Sequence, residues 1–85
     1  MNGDTIDEVR SILSSVLQLG SRGDSLDADS PLLGSLPELD SMAVVTVVTA
    51  LEDHYGFMVE DDEIDADAFE TLGALAGFVE HKLRG

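Results

Sequence analysis

Eighty-five residues carry eighteen acidic and four basic side chains, for a formal charge of −14, and no cysteine. A chain of this length builds one small domain, with a core too small for a deep active site made only from itself. The charge excludes nucleic acid as a partner, because phosphate backbones need Lys and Arg, and the missing thiols exclude both a disulfide framework and a thiolate metal site.

His54 and His81 are the only histidines, too few strong ligands for zinc. No apolar run approaches the length of a membrane span, and no basic segment followed by an apolar stretch opens the chain as an export signal would. The expectation is a soluble, cytoplasmic monomer. Its acidic field should speed encounters with basic protein surfaces. The same charge repels itself in the compact state, so salt or divalent cations should raise the melting temperature; a flat salt titration would count against this.

Residues 1–4 and 84–85 are expected to be loose ends of one domain spanning 1–85. Thr5 followed by Glu8 fits a capping box. Ile6, Val9, Leu13, Val16 and Leu17 then recur at helical spacing, which predicts a helix over 5–19 stopped by Gly20. From Ser21 to Leu39 the composition turns to Ser, Gly, Asp and two prolines, a long loop of the kind that often carries function. Leu26, Leu32, Leu33, Leu36 and Leu39 are spaced as anchors pinning that loop across a helical core.

The segment 42–55 holds a conflict. Val44 to Thr49 are β-branched throughout and favour a strand. The periodicity favours a helix, since Val44, Val47, Val48, Leu51 and Tyr55 share one face, and helix signals bracket the segment: Asp40 and Ser41 as N-cap candidates, Gly56 as the stop. A strand would need a partner strand, and no second strong candidate exists. Helix is therefore expected. Phe57-Met58-Val59 reads as an apolar link, and Glu60 to Asp67 as an acidic run with a short helical turn and one inward residue, Ile64. Thr71 can cap a last helix whose Leu72, Leu75, Val79 and Leu83 share a face, with Lys82 and Arg84 complementing its dipole and Gly73 and Gly77 weakening it. The sum is an all-α bundle of three longer helices and one short one, with a long loop between the first two.

Three motifs invite chemistry and read more simply as structure. Gly23-Asp24-Ser25-Leu26 spells a lipase-like nucleophile block, but that chemistry needs a base and an oxyanion hole from a much longer chain. The acidic run 60–67 lacks the central glycine of an EF-hand loop and reads as a solvated face. Ser41 and His54 cannot share a proton, because a helix would hold them about 20 Å apart at 1.5 Å per residue. No catalytic residue is expected.

That leaves Asp40-Ser41-Met42. Asp-Ser occurs three times, at 24–25, 29–30 and 40–41, and only the third opens a helix. A helix start carries partial positive charge and free N–H groups, so it suits an anion. Here the chain resembles the acyl carrier proteins, whose signature is Asp-Ser-Leu at the start of the second helix. The likeness runs from the first amphipathic helix and the Leu-anchored loop through Ala50-Leu51-Glu52-Asp53-His54-Tyr55-Gly56 to Phe69-Glu70-Thr71-Leu72.

The resemblance implies a single carrier domain. Ser41 would bear 4′-phosphopantetheine, delivered from coenzyme A by a Mg²⁺-dependent phosphopantetheinyl transferase, with Asp40 helping to recruit that enzyme. Acyl groups would ride the arm as thioesters and reach partner ligases, acyltransferases or synthases with basic docking surfaces, in fatty-acid, polyketide or other specialised lipid or acyl biosynthesis. Short chains would fold back among Val45, Leu51, Val59, Ile64 and Phe69. Two rivals stand beside this: a peptidyl or aminoacyl carrier with other cargo, and an unmodified acidic interaction module in which Ser41 merely caps the helix.

The chain also departs from the family pattern. Met42 replaces the usual leucine, a volume-conserving change. Ala43 and Thr46 stand where many relatives carry carboxylates for docking, while Glu52 and Asp53 keep the acidic end. The partner surface should be more apolar in its N-terminal half. Gly34 to Leu39 differs from the common Leu-Gly-x approach and is similar to stand-alone carriers that sit beside acyl ligases in specialised gene sets.

Overall fold

The computed structural model describes residues 3–60 and 62–84. Helix α1 spans Gly3–Leu17, a single turn α2 spans Ser21–Asp24, α3 spans Ser41–Tyr55, a 3₁₀ turn η1 spans Ala66–Phe69, and α4 spans Leu72–Arg84. No helix among the described residues is long and apolar enough to cross a membrane.

Helix α1 buries Val9, Leu13 and Leu17, with Ile6, Ile12 and Val16 packed at their margins. It is two residues shifted from expectation at both ends. Gly3 and Asp4 are helical and not loose, so Thr5 is the third helical residue, buried at 8% exposure, and cannot be the N-cap. Met1, Asn2 and Gly85, also expected to be loose, lie outside the described residues.

At its other end α1 stops at Leu17 and not at Gly20. Gln18 takes the left-handed conformation (φ 55°) usually left to glycine. The Leu19 amide then donates to the Ser14 carbonyl at 3.0 Å, the 6→1 bond of a Schellman motif. This reversal turns Leu19 into the core, where it is 4% exposed, and that burial is the gain that offsets a strained Gln18. Gly20 instead precedes α2, a turn inside what the sequence reads as uninterrupted loop.

The rest of the loop is stitched to the start of α4. Leu32 and Leu33 amides donate to the Glu70 and Phe69 carbonyls, while Leu72 and Gly73 amides donate to Ser30 and Ala28. Gly73, which weakens a helix by propensity, earns its place here, since a Cβ at that position would meet the Ala28 oxygen at 2.7 Å. Leu26, Leu32 and Leu39 are buried anchors and Leu36 is half-buried, but Leu33 stays 41% exposed.

Helix wins over strand in α3, because a helix buries Val47 and Leu51 completely and half-buries Val44, Val48 and Tyr55 on one face. Nearly all of the local strand preference is overridden by packing. The short turn comes later than expected, at 66–69, and its inward residue is Phe69 at 1% exposure; Ile64 is half-buried. In α4, Thr71 accepts from the Ala74 amide as a cap at 3.0 Å. Leu72, Leu75 and Val79 are buried, Ala76 joins them, and Leu83 is half-exposed instead of completing the face. Lys82 does not serve the helix end alone, since it pairs with Glu63 at 2.8 Å and ties α4 to the acidic link.

Candidate functional site at the start of α3

The site begins with Leu39, whose buried side chain and amide bond to the Leu36 carbonyl fix the approach of the chain. Asp40 follows in extended conformation and is the N-cap of α3, its carboxylate accepting from the Ala43 amide at 2.9 Å. Ser41 is the first helical residue and is exposed. Since Asp40 holds the cap, the Ser41 hydroxyl has no part in it. The amides of Ser41 and Met42 are among those a helix start leaves without an intrahelical acceptor, so the partial positive charge of α3 lies beside Ser41.

The other two Asp-Ser pairs differ at this point. Ser25 donates to the Ser21 carbonyl at 3.3 Å, closing its own turn. Ser30 accepts from the Asp27 amide and donates to the Asp27 carboxylate. Both serines are committed to local turns.

A groove of about 530 Å³ opens against Ser41, walled by Leu33, Leu39, Val44, Ala66 and Phe69, with Asp40 and Asp65 adding carboxylates. A smaller cavity of about 190 Å³ lies further along α3, between Val44, Val45, Val48 and Thr49 and the link residues Val59, Glu60 and Ile64. The shelter expected among Val45, Leu51, Val59, Ile64 and Phe69 is therefore divided. Leu51 is sealed in the core, Phe69 faces the groove, and Val45, Val59 and Ile64 face the smaller cavity. Leu33 was read only as a loop anchor and Asp65 and Ala66 only as part of the acidic run; the folding of two distant segments brings them together beside Ser41.

The outward face of α3 runs Met42, Val45, Thr46, Thr49 and Asp53. Met42 and Val45 are 76% and 63% exposed. The Thr46 hydroxyl donates to the Met42 carbonyl at 3.1 Å and that of Thr49 to the Val45 carbonyl at 3.0 Å. Both threonines, exposed on this face, thereby satisfy their polar atoms against the helix. Val45 and Thr49 were missed as surface residues although the i, i+3, i+4, i+7 spacing from Met42 marks them. Ala43 is half-buried. Glu52 is also partly buried and accepts from the Val59 amide at 2.7 Å, so it staples the link to α3. Asp53 is exposed.

Two contacts hold α3 in place from behind. The Tyr55 hydroxyl donates to Glu8 at 2.8 Å, and its ring stacks on Phe57 with centroids 5.8 Å apart. Burial, then the Glu8 carboxylate, push the Tyr55 phenol above its ordinary range. On the link, hydrogen bonding from Lys82 holds the Glu63 carboxyl below its usual range.

The profile of the family described as phosphopantetheine attachment site matches residues 7–79. The chain belongs to the acyl carrier protein family. Among solved structures, it is similar to the holo acyl carrier protein of Nitrosomonas europaea, with 61% identity, 94% of this chain and 96% of that chain covered, and a TM-score of 0.88. No curated protein matches its sequence.

As in the rest of the family, it is a carrier and not an enzyme, and it works through a phosphopantetheine arm that holds acyl groups as thioesters. Its general partners are the transferase that attaches the arm and the enzymes that load and unload it. The start of α3 fits such a group: an exposed hydroxyl, unspent backbone amides for a phosphodiester, and an apolar groove alongside.

Proposed function

We propose that Ser41 is the attachment residue, and that residues 1–85 act as a single monomeric carrier domain in the cytoplasm. The observation that carries this is the division of labour at the helix start, where Asp40 caps α3 and Ser41 is left exposed beside the groove. In the transfer, the Ser41 oxygen bonds to the phosphorus of coenzyme A, the diphosphate bond breaks, the nucleotide leaves, and the hydroxyl proton passes to the transferase. A phosphodiester at this helix end gains about 0.3–1 kcal/mol from the dipole when exposed. Asp40 is the acidic neighbour read by the transferase, and Met42 is its apolar companion.

The enzymes that load and unload the carrier dock on the outward face of α3. Their surface is basic where it meets Asp53 and apolar where it meets Met42, Val45 and the methyl groups of Thr46 and Thr49. Ala43 allows a close approach, and Glu52 supports the surface from its bond to Val59. This pattern favours acyl ligases, acyltransferases or synthases of a specialised pathway over enzymes that dock on a continuous row of carboxylates.

Intact mass after incubation with coenzyme A, Mg²⁺ and a broad-specificity phosphopantetheinyl transferase tests the attachment. Wild type, Ser25→Ala and Ser30→Ala each gain one phosphopantetheine unit, and Ser41→Ala gains none. A gain retained by Ser41→Ala would refute the placement. Loading by acyl ligases against aminoacyl ligases then fixes the class of cargo.

A further inference from the structure

Four basic residues serve the whole chain, and each is paired in the fold. Arg10 and Arg84 pair with Asp7 and Glu80 of their own helices, and Lys82 ties α4 to the link at Glu63. Arg22 does something different. It reaches from α2 to Glu38, three residues before Ser41.

Segment 34–39 has need of such a tie. The Ser35 and Leu36 amides donate to the Leu32 carbonyl and the Leu39 amide to that of Leu36, so its backbone bonds stay local. Leu39 is buried and Leu36 half-buried, which anchors one side. Among the described residues, the Arg22–Glu38 pair alone joins this segment to a distant element through polar atoms. Glu38 is partly buried; its Oε2 accepts from the Arg22 guanidinium, and its Oε1 lies out of solvent without a donor. A carboxylate so placed is costly to hold unless a cation stands beside it. Without Arg22, Glu38 would turn out to water and loosen the segment. Arg22 in turn has a firm base, because Gly23 is buried and a Cβ there would collide with the Ser14 side chain of α1.

We propose that the Arg22–Glu38 pair is a strap that presents Ser41 to the transferase. Helix α1 holds α2, Arg22 holds Glu38, and Glu38 fixes the entry of Leu39 and Asp40 into α3. Both are positioning residues, acting through Leu39 and Asp40. The inference rests on Ser41 being the attachment residue, and adds to that reading a pair outside the Asp-Ser motif. Opening the strap lowers the fraction of molecules with a formed start of α3, and an enzyme that binds that fraction sees a weaker ligand. KM for the carrier rises and kcat holds.

The test follows phosphopantetheinyl transfer to the full-length apo protein by intact mass over time, with coenzyme A and Mg²⁺. Arg22→Gln and Glu38→Gln each raise KM for the carrier about two- to fivefold, the range a partly exposed ion pair supports. Neither changes kcat. The double variant is no worse than either single one. The exchanged pair, Arg22→Glu with Glu38→Arg, restores most of the wild-type KM. Arg84→Gln makes the same change of charge at the end of α4 and keeps the wild-type KM.

Direct reading of these charges by a basic transferase gives another pattern: Glu38→Gln raises KM, Arg22→Gln does not, and the exchange rescues nothing. That pattern overturns the strap, as do additive effects in the double variant or an equal rise in Arg84→Gln. Melting curves establish that each variant is folded at the assay temperature. Should the exchanged pair not fold, the sign and additivity of the Gln variants decide. An unchanged KM in both Gln variants overturns the strap and leaves Ser41 untouched. Absence of a mass gain in wild type, or a gain retained by Ser41→Ala, overturns the attachment reading and the strap with it.

Discussion

The two faces of α3 are built from nearly the same amino acids and do opposite work. Inward, Val44, Val47, Val48, Leu51 and Tyr55 pack on α1 and the link. Outward, Met42, Val45, Thr46 and Thr49 repeat the same helical spacing toward solvent. A helix with apolar residues on both sides loses the usual signal of amphipathicity. The inward face stabilises the fold. The outward face gains nothing from folding, and in a chain with charge −14 it is a conspicuous place to leave uncharged. An apolar stripe held in water in this way is what a docking surface requires.

Substitution breaks this symmetry most sharply at paired positions. Leu51→Ala removes a fully buried side chain and should cost about 2–5 kcal/mol. The whole domain has only about 0.05–0.15 kcal/mol per residue of net stability, so this variant should be largely unfolded by circular dichroism at moderate temperature. Val45→Ala, six residues earlier on the other face, should change stability by less than about 0.5 kcal/mol. Comparable losses at the two positions would mean that Val45 is not a surface residue in solution.

Asp40 tests the helix start that both faces share. Asp40→Ala removes the bond to the Ala43 amide and should cost about 1 kcal/mol. Asp40→Asn can still accept that bond and should keep the stability. The two variants also separate cap from charge in function. If the transferase reads the carboxylate, modification of Ser41 slows in both; if it reads only a well-formed helix start, Asp40→Asn is modified at the wild-type rate.

Much of this was legible in the sequence. The inward stripe of α3, the Thr71 cap and the Asp-Ser pair that opens a helix were all visible as spacing. The turns were less so. Nothing local announces that Gln18 will take a left-handed conformation, because the burial of Leu19 decides it. Gly73 reads as a weak point until the Ala28 carbonyl, distant in sequence, is found against it. The groove was hidden for the same reason, since it exists only once loop residues 33–39, α3 and η1 come together. Glu52 was read as a docking carboxylate, and its bond to the Val59 amide shows a structural duty that composition cannot reveal.

The link after α3 gives a smaller, pH-dependent effect. Glu63 is bonded to Lys82, which lowers its pKa in the folded state. A carboxylate with a lowered folded pKa contributes stability above its unfolded pKa and loses it as pH falls through the folded value. Wild type should therefore melt slightly higher than Glu63→Gln near neutrality. The gap should close as pH drops below the ordinary glutamate range. A gap that persists in strong acid would show that Glu63 acts by packing and not by charge.

The smallest expected change in stability is at Thr46, and it bears most directly on the outward face. Its hydroxyl is already satisfied by the Met42 carbonyl, so Thr46→Val presents the same methyl surface and should alter the melting temperature little. Thr46→Glu should also be close to neutral for folding, because the position is exposed. The two should separate only with a partner enzyme present. Thr46→Val retains acyl loading at low and high salt, as an apolar contact would. Thr46→Glu, which puts a carboxylate on the apolar stripe, weakens loading by this protein's own partner and makes any contact with a basic synthase surface salt-sensitive. Equal loading of both variants at all salt concentrations would place the docking contact elsewhere than on the outward face of α3.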